Sequence, residues 1–238
     1  METSQRCGRA ARWVAGVTGL AAAGWAGTAA VTWARYGRVP VPRAVESDPL
    51  LDAFMPHYEV VERHQIEVAA PADVTLAAAR EIDLAGAPVV RALFKGRELL
   101  LGAEPDREQG PKGLLAFTQS IGWRVLAEVP GREVVVGAVT KPWDANPTFR
   151  SVPAAYFVGF NEPDYVKILW TLRADPLSPE TSVFRSETRV VATDPVSRAK
   201  FRRYWAWLSP GIVLIRNVML APVKAEAERR ARGQRAAA

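Results

Sequence analysis

From Trp13 to Ala34 the chain runs 22 residues without a charge (WVAGVTGLAAAGWAGTAAVTWA). A helix of that length covers the roughly 30 Å hydrocarbon core of a bilayer. Arg6, Arg9 and Arg12 precede the run, Arg35, Arg38 and Arg43 follow it, and Trp13, Trp33 and Tyr36 sit at its ends, where amphipathic rings favour the interface. A cleaved signal peptide or a buried soluble helix is the alternative, but a signal's apolar region is shorter, about 7–15 residues, and no clean A-x-A site here is followed by a mature-looking start. The expectation is a tail over 1–12, one transmembrane helix over 13–34 and a proline-bearing linker over 35–56 (Pro40, Pro42, Pro49 and Pro56). Three arginines on either side give no orientation by the positive-inside rule. The expected place is a single-pass cell-membrane protein; a short arginine-bearing tail is usually kept in the cytoplasm, which favours an exported domain but leaves its side open.

The span leaves one domain's worth of chain, 57–230, with a short basic tail over 231–238. The net charge of +6 would suggest a nucleic-acid partner if it lay on a folded face, but residues 1–43 carry six Arg against one Glu, and the remainder carries 25 basic against 24 acidic residues. A neutral domain has no footprint for phosphates, so no nucleic acid is expected. Cys7 is the lone cysteine, which excludes an intrachain disulfide and a cysteine zinc site. No metal-ligand cluster or cofactor motif appears, so neither a metal nor a cofactor is expected. The G-x-S-x-G of serine hydrolases is also missing.

Local patterns give an α+β order. Tyr58–Val68 alternates as a strand with Val60, Glu62, His64, Ile66 and Val68 on one face. Pro71 opens a helix over Ala72–Ile82, and Pro88–Leu101 reads as a second, amphipathic one. A helical stretch over Leu114–Ile121 follows, then strands at Trp123–Val129 and Glu133–Thr140 around the turn Pro130-Gly131-Arg132. Further strands are expected at Thr148–Arg150, Ala155–Phe160, Tyr165–Ala174 and Ser182–Thr193, in an antiparallel sheet. Asp194-Pro195 caps a long helix. Phe201, Trp205, Leu208, Ile212, Ile215 and Met219 form its apolar stripe, with a kink expected at Ser209-Pro210-Gly211 and a frayed, solvated end from Lys224.

This order resembles the START-like superfamily, also called helix-grip or SRPBCC, which includes polyketide cyclase/dehydrase relatives. Three phrases carry the likeness: Val68-Ala69-Ala70-Pro71-Ala72-Asp73-Val74 as strand end, Ala-Pro and helix; Trp123–Glu133 as the first long hairpin; and Thr188-Arg189-Val190 running into Asp194-Pro195. The resemblance spans about residues 57–230. It implies a helix-grip fold, a curved antiparallel sheet wrapped around the C-terminal helix. It also implies a cavity for lipids, sterols, polyketides or other apolar molecules. The family has no universal catalytic motif, so no catalytic residue is carried over.

Against that frame, Glu62 and His64 share a strand face between Val60 and Ile66, where a carboxylate beside an imidazole can orient a ligand hydroxyl or move a proton. Structural hydrogen bonds explain the pair equally simply. Trp170, Phe184, Ser186 and Thr188 read as pocket walls, and Trp205, Leu208 and Ile212 as the helix side of the same cleft. Core packing accounts for the aromatics as well. Arg185, Glu187 and Arg189 read as a solvated charge ladder with Lys167 and Arg173. The expected function is a membrane-tethered carrier or binder of a hydrophobic, lipid-like small molecule. The alternative is a cyclase- or hydrolase-type enzyme using Glu62, His64 and Arg150 or Tyr156.

Overall fold

The computed structural model describes residues 23–43, 46–83 and 111–237. Helix α1 spans 23–35. Helix α2, Pro49–Phe54, is started by Asp48, whose carboxylate accepts from the Leu50 and Leu51 amides at 3.1 and 3.0 Å. Strand β1, Val60–Val68, leads through Pro71 into α3, Ala72–Glu81. Helix α4, Leu114–Ser120, precedes the hairpin of β2, Arg124–Val129, and β3, Glu133–Thr140. Then come β4, Phe149–Arg150, α5, Ala154–Phe157, β5, Val166–Ser178, β6, Thr181–Ala192, and α6, Pro195–Ala237. The helix expected over Pro88–Leu101 lies outside the described residues.

The strands form one antiparallel sheet in the order β1-β6-β5-β3-β2, with β4 beside the end of β3. On its inner face, Val68, Val134, Leu172 and Phe184 pack against α3 and the second half of α6 through Leu76, Met219, Val223 and Ala227. A second inner cluster joins Val60, Val166 and Val190 to Phe201 and Trp205 of α6. The outer face is also covered: Val135, Val139 and Leu169 meet Leu51 and Met55 beside α2 and Phe157 of α5. All eight residues of β3 are therefore buried.

Three expectations change. Ala155–Phe160 is not a strand: Pro153 starts the turn of α5, the amides of Tyr156 and Phe157 donate to its carbonyl, and fully buried Phe157 anchors the turn. Helix α6 runs on through Pro210 and Pro222 to Ala237, and its end is docked rather than frayed. Val223, Ala227 and Ala231 are buried, Arg230 pairs with Glu81 at 2.9 Å, and Glu228 accepts from the Ala69 amide at 3.1 Å. The third change concerns the charge ladder. Arg189 and Glu187 are buried under α2, because the outer face carries a second core instead of solvent.

One turn depends on glycine. Gly122 sits at φ +103°, and a Cβ there would lie 2.1 Å from the Phe149 carbonyl oxygen. Gly122→Ala is expected to cost about 2 kcal/mol in denaturant unfolding, combining left-handed strain with a backbone clash. A change under about 0.5 kcal/mol would show that the turn relaxes freely.

Candidate functional site

Pairing places Glu62 opposite Thr188, which faces Trp170, and His64 opposite Ser186, which faces Leu172. Two adjacent rows of the inner face thus gather the polar residues singled out from sequence. Helix α6 crosses over them and closes this side of the sheet. The fold is α+β, an antiparallel sheet with the long C-terminal helix laid across one face.

His64 is the centre of the site. Its Nδ1 lies 3.2 Å from Oδ1 of Asn217 on α6, and Asn217 Nδ2 donates to the Val213 carbonyl at 3.1 Å. That second bond orients the amide, so Nδ1 carries the imidazole proton and Nε2 is left as a bare acceptor. Nε2 is buried with no hydrogen-bond partner. The nearest acid, Glu62, is 3.8 Å away, beyond hydrogen-bond reach. Burial lowers the His64 pKa and raises that of Glu62, moving both toward their neutral forms.

Beside them, Trp170 Nε1 donates to Ser186 Oγ at 2.7 Å, which fixes the indole. The guanidinium of Arg216 stands over that ring, 4.6 Å from its centroid. Burial pushes the Arg216 pKa down to about 10, opposed by the charge of Glu62. Arg216 and Asn217 escaped the sequence reading because they fall within the apolar stripe of α6. The signal was present: Arg216 is the one charged residue between Arg203 and Lys224, and an isolated arginine in such a stretch calls for a partner.

The other expected site residues fall into two groups. Phe184 is fully buried and belongs to the apolar cluster on one side of the polar rows. Trp205, stacked on Phe201 at 5.9 Å, and Ile212 belong to the cluster on the other side. Leu208 is half-buried and joins neither cluster, while the side chain of Ile215 lies outside the described ones. Arg150 and Tyr156 do not converge with His64. Arg150 pairs with Glu162 at the surface, and Tyr156 on α5 is 71% exposed.

A cavity of about 120 Å³ opens near the outer face, lined among others by Asp48, Arg63, Thr171, Arg173 and Glu187. Its walls are ion pairs, Arg63 with Glu187 at 2.9 Å and Arg173 with Asp48 at 3.5 Å. It is thus a polar hollow, and its lining also includes His64 and Ser186 of the polar rows. Among the described residues no group of three or more His, Cys, Asp or Glu side chains is placed to hold a metal ion.

No family model matches the chain, and no curated protein matches it. Solved structures do. A point mutant of norcoclaurine synthase from Thalictrum flavum, in complex with a transition-state analogue, is 13% identical with a TM-score of 0.34, covering 72% of this chain and 95% of that one. A hypothetical protein from Helicobacter pylori is 8% identical with a TM-score of 0.39, covering 79% and 99%. The Zhui aromatase/cyclase from a Streptomyces species is 15% identical with a TM-score of 0.25, covering 72% and 94%. What the site can do follows from its own side chains.

Proposed function

We propose that the chain is a membrane-tethered binding protein for an apolar small molecule with one polar end, held between the inner face of the sheet and α6. The observation that carries this reading is the buried, unpartnered Nε2 of His64. A buried acceptor without a donor is costly, and here it lies on the polar rows between two apolar clusters. A guest whose hydroxyl donates to Nε2 and whose body lies along Val60, Ile212, Phe184 or Met219 relieves that cost. Glu62, Trp170, Ser186 and Thr188 frame the polar end.

The tether is the uncharged run 13–34 with its arginine and tryptophan borders. Its first ten residues lie outside the described ones. The rest belongs to α1, which lies against α6: Trp25 Nε1 donates to the Trp207 carbonyl at 3.1 Å, and Arg202 donates to the Trp33 carbonyl at 2.8 Å. Trp25, Val31 and Trp33 of α1 stay exposed. Among the described residues α6 is also long and apolar enough to cross a membrane. Its contacts with the sheet make it the gripping helix. Full-length protein is expected in the membrane fraction after a low-salt wash, and recovery in the soluble fraction would remove the tether from this reading.

For the site, the full-length chain is titrated with dodecanol, farnesol, a sterol and a fatty acid, following tryptophan fluorescence. At least one should bind, and His64→Phe, which removes the acceptor at similar volume, should weaken that binding roughly tenfold. Binding by none of them would overturn the proposal.

A second reading has its own observation: three titratable groups, Glu62, His64 and Arg216, come together where α6 crosses the sheet. A neutral imidazole held by Asn217 is oriented as a general base, with Arg216 placed to stabilise an oxyanion. Mass spectrometry of the bound molecule after incubation separates the two. An altered mass indicates turnover, and an unaltered one a carrier.

A further inference from the structure

We infer that the polar end of the ligand is a carboxylate and that Arg216 receives it, so that the site selects apolar acids over apolar alcohols. This rests on the binding role proposed above. Arg216 is half-buried, and among the described residues its guanidinium makes neither a hydrogen bond nor an ion pair; its contact is with the face of Trp170. An arginine taken out of water normally recovers its lost hydration through a carboxylate or several carbonyls. Here its donors are unspent.

Glu62 does not fill that place. It is the opposing charge nearest in effect, yet no ion pair forms between the two, and burial favours the protonated carboxyl. Nor is the guanidinium free to swing out without cost. It rests on an indole that Ser186 holds in position, so the planar fork is preorganised over the inner face. A carboxylate matches that fork with two parallel hydrogen bonds, while an alcohol supplies a single neutral acceptor and leaves the charge uncompensated. His64 does not compete for the anion, because its unpartnered Nε2 carries a lone pair; it accepts from a hydroxyl where the acid has one. The apolar clusters on either side of the polar rows receive the chain.

The test compares dodecanoate with dodecanol, equal in length and differing at the head, on full-length protein kept in a lipid-free amphipathic polymer. Wild type is expected to bind the acid at least tenfold tighter. Arg216→Met, which keeps the apolar stem, should bring the acid to the affinity of the alcohol. Should that variant fail to fold, Arg216→Gln gives the same reading. Equal binding of acid and alcohol by wild type, or a preference that survives loss of the charge, overturns the inference while the binding role stands. Binding of neither overturns both.

Discussion

Arg189→Met is expected to lower the unfolding free energy by about 3 kcal/mol, toward the lower end of what breaking a buried ion pair costs. Arg189 is a long charged side chain with 1% exposure. Its Nε donates to Glu187 at 2.7 Å, its Nη1 to Asp52 at 2.6 Å and to the Met55 carbonyl at 3.0 Å, and its guanidinium stands over the Tyr58 ring. One residue of β6 therefore holds α2 and the segment after it onto the outer face. Methionine fills the volume but leaves Glu187 buried with half its charge compensation, from Arg63 at 2.9 Å, and leaves the Met55 carbonyl without its donor. In thermal melts of the full-length chain this corresponds to a drop of roughly 6–12 °C. Adding Glu187→Gln should recover part of the loss. A single variant within 1 kcal/mol of wild type would show that α2 is held by its apolar contacts alone.

The second large effect is a dependence on pH. Glu133, buried at the start of β3, is pushed up to about 8 by its burial, by a hydrogen bond with Asp48 and by that residue's charge, against the pull of Arg173 and Thr171. Its proton is held more tightly in the folded chain than at the ordinary 4.5. The stability it contributes is thus fully present below about 4.5 and lost as pH rises through about 8. The loss between pH 5 and 9 is on the order of 3 kcal/mol. Glu133→Gln stays neutral and keeps a donor for Asp48, so its melting temperature should change less across that window and exceed the wild-type value at pH 9. Parallel curves for the two proteins would show that Glu133 shares its proton with no one and sits ionised in both states.

Much of the fold was legible because its signals are local. Period-2 alternation located β1 and placed Glu62 and His64 on the face that meets α6, and the Pro-Gly turn located the hairpin of β2 and β3. Asp194-Pro195 marked the start of α6, where Asp194 accepts from the Val196 and Ser197 amides. What stayed hidden depends on long-range contacts. The alternation of Arg185, Glu187 and Arg189 with apolar residues is the pattern of a solvated face, and nothing near them in sequence announces that Asp52 and Met55 cover them. The turn of α5 carries too few residues for a period to show. Within the site, Arg216 and Asn217 were masked by the stripe around them, although a lone charge in an apolar helix is itself a signal.

The pairing of β1 with β6 has a consequence for how the chain is made. Val60 meets Val190 and Val68 meets Ser182, residues more than a hundred positions apart. During synthesis β1 emerges early and has no neighbour in the sheet until β6 follows, and α6, which covers both, comes after β6. Closing such a loop is slow compared with forming the hairpins of β2–β3 and β5–β6. Assembly therefore begins with the two hairpins and ends by joining β1 to β6 under α6. With the tether proposed above, the domain would complete itself at the membrane surface, within reach of lipid.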